Sequence, residues 1–123
     1  MRFVLPLKKL PHMKKTLIFP FLLFFGLSFA QTQGEMNNEA LEAFNLADAE
    51  MTIIYKNLMA SLSTQTEKDY LLAAQRSWIT YKEAHCKAIA YQYEGGSMQP
   101  LIKYSCLETL TRERIQQLNS YDE

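Results

Sequence analysis

Beyond residue 38 the apolar residues recur at intervals of three and four, and no segment alternates with the period of two that a strand requires. From Glu39 the series Leu41, Phe44, Ala47, Met51, Ile54, Tyr55, Leu58 and Leu62 traces one face of a helix. Glu39 and Glu42 fall in its first turn, where the helix dipole favours acids. Ser61 to Thr66 is a polar break, and Thr64-Gln65-Thr66-Glu67 fits the S/T-x-x-E capping box that opens a new helix. A second helix is predicted from Glu67 to Tyr93, with the stripe Leu71, Ala74, Trp78, Tyr81, His85 and Ala88 flanked by Ile79, Cys86 and Ile89. Gly95-Gly96 is placed to end it as a left-handed C-cap. Ser97 is placed to cap a third helix carrying Leu101, Tyr104, Leu107, Leu110, Arg114, Ile115 and Leu118, with Pro100 in its first turn. The pattern predicts an all-α fold, a small three-helix antiparallel bundle.

The cysteines tighten that picture. Cys86 stands nine residues before Gly95 and Cys106 ten after Gly96, so a helical hairpin folded at the glycines brings both to the same height. A disulfide there staples helices two and three, and Cα atoms about 4.4–6.8 Å apart satisfy its geometry. Closing a loop of about 20 residues contributes roughly 3 kcal/mol in the chain-entropy model.

The N-terminus changes the compartment and the charge. Met13-Lys14-Lys15, an apolar run from Leu17 to Phe29, and the small residues Ser28 and Ala30 make the pattern of a secretory signal peptide. The run is short for a transmembrane helix. Residues 1–30 are therefore read as a signal peptide, with 1–12 an upstream mis-start, since Met13 begins a conventional leader by itself. Residues 31–38 read as a flexible N-terminal segment. Five of the 13 basic residues and none of the 13 acidic ones lie in the first thirty, so the remainder holds 8 basic against 13 acidic residues. An acidic exported domain, periplasmic or secreted, is not a nucleic-acid binder, has no membrane attachment once the leader is cleaved, and is drawn to basic protein partners.

Catalytic and metal chemistry find little support. His85 and Cys86 are neighbours whose side chains diverge by about 100° on a helix, and a bridged cysteine is no nucleophile. After the leader there is one histidine, and no C-x-x-C, H-x-x-x-H or C-x-x-C-H spacing. No metal, cofactor or enzymatic activity is expected. His85 reads as an interior or boundary residue hydrogen-bonded within the bundle. Asp48 falls on the apolar face, where it is expected to pair with Arg76, Lys82 or Arg114 in a structural role. Trp78 and Tyr81 read as core. At the hairpin tip Tyr91, Tyr93, Glu94 and Ser97 cluster with Gln99, a rigid aromatic group suited to partner binding. The alternative for Tyr91 and Tyr104 is that they close the edge of the core.

The string Gln75-Arg76-Ser77-Trp78-Ile79-Thr80-Tyr81-Lys82-Glu83-Ala84-His85-Cys86 resembles the Q-R-x-W-x-x-Y-[RK]-x-x-x-C block of the lysozyme inhibitor LprI-like domain family. The resemblance continues through Tyr93-Glu94-Gly95-Gly96-Ser97, Cys106 and Leu110-Thr111-Arg112-Glu113-Arg114-Ile115-Gln116-Gln117-Leu118, and upstream through Ala47-Asp48-Ala49-Glu50-Met51 and Tyr55. It assigns residues 39–120 to one LprI-like helical domain. Thr52 stands where many members have asparagine, and Glu39 where many carry a further cysteine, which implies a member with the hairpin disulfide only. The resemblance implies a non-enzymatic binding domain of the bacterial envelope, directed at a basic lysozyme. The alternative is a structural or stress-related envelope protein that binds another periplasmic partner.

Overall fold

The computed structural model describes the backbone of residues 18–121 and the side chains of residues 32–121. The chain divides into two compact units, one ending at Gln33 and the other beginning at Gly34. Of the expected leader, residues 1–17 lie outside the described residues, and from Ile18 the backbone is helical.

Three helices make up the fold: α1 (Ile18–Ser61), α2 (Gln65–Tyr91) and α3 (Gln99–Asn119). The first is longer than its apolar periodicity indicates, because residues 31–38, read as flexible, are already helical. They contain neither proline nor a β-branched run that would stop a helix. Ala40 is buried just beyond them, and the Asn37 amide donates to the Ser97 carbonyl at 3.0 Å.

Side-chain pairings fix the topology of the second unit. Met51 meets Gln75, and Lys82 lies over Phe44, so residue numbers on α1 and α2 run oppositely. Gln75 meets Arg114, and Cys86 bonds Cys106, which makes α2 and α3 antiparallel as well. Phe44 stacks on Tyr104, and Glu50 faces Arg112, so α1 and α3 run parallel. The result is the expected three-helix antiparallel bundle, with α2 and α3 in the closest approach.

The large apolar side chains gather at one end. Met51, Leu58, Leu71, Ile115 and Leu118 form the buried cluster, with Ile54, Tyr55, Met59, Leu62 and Trp78 packed against it. The other end buries Ala40, Ala47, Cys86, Ala90 and Leu107. Small residues there allow the helix approach that a disulfide needs, and the Cys86 and Cys106 Cα atoms stand 5.5 Å apart.

The buried face of α2 differs from its predicted stripe. Leu71, Gln75, Lys82, Cys86 and Ala90 face inward, while Ala74, Tyr81 and Ala88 face solvent. A hydropathy pattern favours the alanines and Tyr81, but long amphipathic side chains bury their stems when their polar ends find partners. Gln75 does so: its Nε2 donates to Met51 Sδ at 3.6 Å, and its Oε1 accepts from Arg114 Nε at 3.0 Å. One buried amide therefore links all three helices. On α3, Thr111 is fully buried and its hydroxyl donates to the Leu107 carbonyl at 2.7 Å, so it leaves no polar atom unsatisfied.

Helix ends follow the sequence in one case and depart from it in two. The capping box is formed, with Thr64 Oγ1 accepting from the Glu67 N–H and the Glu67 carboxylate accepting from the Thr64 N–H. α2 ends at Tyr91, with Gln92 as C-cap, before the glycines are reached. Met98, not Ser97, is the N-cap of α3, and no side chain caps it there. Pro100 occupies the first turn, where its missing N–H leaves no helix bond unmade.

Two predictions arise from this packing. The Cys86→Ser/Cys106→Ser double variant is expected to lose about 3 kcal/mol of stability, measurable by denaturant unfolding; a loss under about 1 kcal/mol contradicts the role given to the bridge. The Glu67 carboxyl is held below its ordinary pKa chiefly by the Thr64 N–H, then by the Thr64 hydroxyl. Its contribution is complete above the unfolded-state pKa and disappears as pH falls through the lowered folded value. Thermal scans of the wild type and Glu67→Gln should differ most near neutrality and converge in acid; a gap that widens on acidification refutes this.

Candidate functional site

The hairpin between α2 and α3 is held by its own backbone. Tyr93 N–H donates to the Ala90 carbonyl, Glu94 N–H to Tyr91, Gly96 N–H to Tyr93, and Gln99 N–H to Gly96. Gly95 adopts φ of 77°, a conformation that costs an L-residue with a side chain about 1–2 kcal/mol. A Cβ on Gly96 would stand 3.2 Å from the Tyr93 carbonyl oxygen, so that position too favours glycine. Both glycines thus shape the turn itself, and neither is the C-cap of α2. The Asn37–Ser97 bond ties the turn to α1, and the disulfide fixes the helices beneath it.

This turn brings the four predicted contact residues together in solvent. Tyr91 is 68% exposed and Tyr93 40%, and Glu94 and Ser97 are exposed beside them. Tyr91 therefore does not close the core. Tyr104 does take an edge position, half-buried and stacked on Phe44 with ring centroids 6.4 Å apart.

The remaining sequence-picked residues separate into framework and surface. Trp78 packs on the core cluster. Tyr81 does not; it is 56% exposed and stacks on half-buried His85 at 5.4 Å. Arg114 joins Gln75 to Gln117 across the α2–α3 interface, and burial lowers its guanidinium pKa from the ordinary value. Asp48 departs from expectation, since among the described residues its carboxylate makes no ion pair with Arg76, Lys82 or Arg114. Arg114 is engaged by the two glutamines, and Lys82 lies over the Phe44 and Trp78 rings. The Asp48 carbonyl instead accepts from the Thr52 hydroxyl at 2.8 Å, within α1.

Cys86 is bridged and carries no thiolate. Among the described residues no group of three or more His, Cys, Asp and Glu side chains is placed to hold a metal ion, and no helix is long and apolar enough to cross a membrane. Sequence reasoning missed the burial of Gln75, Lys82 and Thr111. For the two on α2 the signal was present in their spacing, since Gln75 lies four residues after Leu71 and Lys82 seven after Gln75.

A family model described as Lysozyme inhibitor LprI matches residues 28–118, which takes in the bridge and the helical hairpin up to the last residue of α3 but one. The chain belongs to the LprI family. A relative, the "Uncharacterized protein R02472" of Rhizobium meliloti (strain 1021), is 31% identical over 102 residues, covering 72% of this chain and 73% of that protein. No solved structure matches the chain. The motif blocks of this LprI domain divide by role: Gln75, Trp78, Cys86 and Arg114 hold the helices together, while Tyr93 to Ser97 form the exposed turn.

The turn geometry predicts that Gly95→Ala costs about 1–2 kcal/mol, and Gly95→Asn less, since asparagine tolerates the left-handed region. Thermal unfolding of both variants checks the order. Equal losses, or none for alanine, contradict a left-handed requirement at this position.

Proposed function

We propose that this protein is an exported, non-enzymatic binding domain that inhibits lysozyme-type muramidases, with the α2–α3 turn as the contact surface. The observation that carries the reading is the turn itself. Tyr91, Tyr93, Glu94 and Ser97 stand exposed on a backbone fixed by hydrogen bonds, two glycines and the disulfide below. Side chains presented on a rigid loop lose little conformational entropy when they bind, and tyrosine is a frequent anchor of interfaces. LprI membership supports lysozyme as the partner, and the charge supports its basic character. Beyond residue 30 the chain holds 13 acidic residues against 8 basic ones, a balance that speeds association with a cationic protein. A disulfide fits an oxidising compartment outside the cytoplasm, periplasmic or secreted.

The turbidity of a cell-wall suspension with lysozyme, followed at physiological salt, tests the proposal. The oxidised protein should inhibit saturably near equimolar ratio. Replacing Tyr93, Glu94 and Ser97 together by alanine should abolish inhibition without unfolding the bundle. Inhibition that survives this replacement removes the turn as the site. Absence of inhibition at several-fold molar excess removes lysozyme as the target and leaves the reading of an envelope protein with another partner.

A further inference from the structure

The second unit is acidic, yet three of its lysines line one cleft. The cleft has a volume of about 630 Å³ and is framed by all three helices, with Phe44 from α1, Lys82 and Lys87 from α2, and Lys103, Tyr104 and Leu107 from α3. Glu83 is the one carboxylate lining it among the described residues. The stacked rings of Phe44 and Tyr104, together with Leu107, give it an apolar wall.

Lys82 carries the argument. It is only 5% exposed, and among the described residues neither it nor Lys87 nor Lys103 makes an ion pair. Its ammonium lies 5.2 Å from the Phe44 ring centroid and 4.8 Å from that of Trp78. The stem is buried while the aromatic faces hold the ammonium at the mouth, where it is partly desolvated and favours an anion. Asp48 lines the neighbouring cleft with Lys82, yet it does not come within ion-pair distance. No buried side-chain nitrogen among the described residues lacks a partner, so the Lys82 ammonium keeps contact with solvent beside these rings and is open to an anion that enters from there.

We infer that this cleft binds a small organic anion, a carboxylate or phosphate head on an apolar body, with the head among Lys82, Lys87 and Lys103 and the body against Phe44, Tyr104 and Leu107. The volume lies within the range of small-molecule sites, and an apolar wall with a few convergent polar groups is their usual chemistry. The cleft adjoins the turn through Ala90 and Gln99 but includes none of Tyr91, Tyr93, Glu94 and Ser97, and its charge is opposite to that of a surface suited to a basic protein. It does not depend on the inhibitor reading.

The test is a titration of the oxidised, isotope-labelled protein followed by amide NMR shifts, using octanoate, octyl phosphate, octanol and inorganic phosphate as probes. Octanoate or octyl phosphate should bind saturably, with a Kd below about 1 mM, and shift amides of residues flanking the cleft. Whichever binds tighter identifies the head. The Lys87→Gln/Lys103→Gln variant alters two positions on the cleft's rim, and should weaken that binding about tenfold. Lys82→Met, which keeps the apolar stem, should weaken it further if the fold is retained. Octanol binding as well as the anions would show an apolar crevice only, and inorganic phosphate binding as well would show charge attraction only. Either result overturns the inference, as does binding unchanged in the double variant or no saturable shift with either amphiphile.

Discussion

The bridge between Cys86 and Cys106 is the constraint on which the turn end of the bundle depends, because the bundle is unevenly packed. Its apolar bulk lies toward one end, around Met51, Leu58, Leu71, Ile115 and Leu118. The end that carries the turn buries mainly alanines and Cys86, with Leu107 as its large apolar side chain. Alanine contributes little transfer free energy, so hydrophobic burial alone holds that end weakly. The disulfide replaces the missing core there. It also needs the small residues, since only close helix approach brings the two Cα atoms to 5.5 Å. Core and bridge thus divide the length of the bundle between them.

That division has a consequence for recognition. A turn mounted on a weakly packed end would fray, and its side chains would pay for ordering on contact with a partner. Here the bridge, the run of turn hydrogen bonds and the Asn37–Ser97 link hold the backbone beneath Tyr91 and Tyr93. The buried Gln75 amide does similar work in the middle of the bundle by joining Met51 and Arg114. Stability and presentation are in this sense one design, and the motif residues of the LprI family are mostly the ones that supply it.

Much of this was legible in the sequence. The three helices, the capping box at Thr64 and Glu67, the hairpin bridge and the exposed turn all follow from spacing and residue chemistry. The inward face of α2 did not, because a periodicity argument ranks Ala74, Tyr81 and Ala88 above Gln75 and Lys82. Whether a glutamine or lysine can be buried depends on partners from other helices, here Met51, Arg114 and two aromatic rings. That information is tertiary. The early start of α1 was hidden for a related reason, since residues 34–38 carry no apolar stripe and include the weak helix formers Gly34, Asn37 and Asn38, while the Asn37 link to Ser97 is tertiary. Asp48 shows the converse, for a charge on an apolar face suggested a partner, and the cations within reach are held by other groups.

The bridge substitutes for a core at the turn end. Native-state amide hydrogen exchange, measured residue by residue on the oxidised and reduced protein, tests it most directly. Reduction should strip protection from the helix segments around Cys86 and Cys106 while the amides of Leu58, Leu71 and Ile115 retain most of theirs. Loss of protection that begins in that apolar cluster, or protection around the cysteines that is unaffected by reduction, would contradict it.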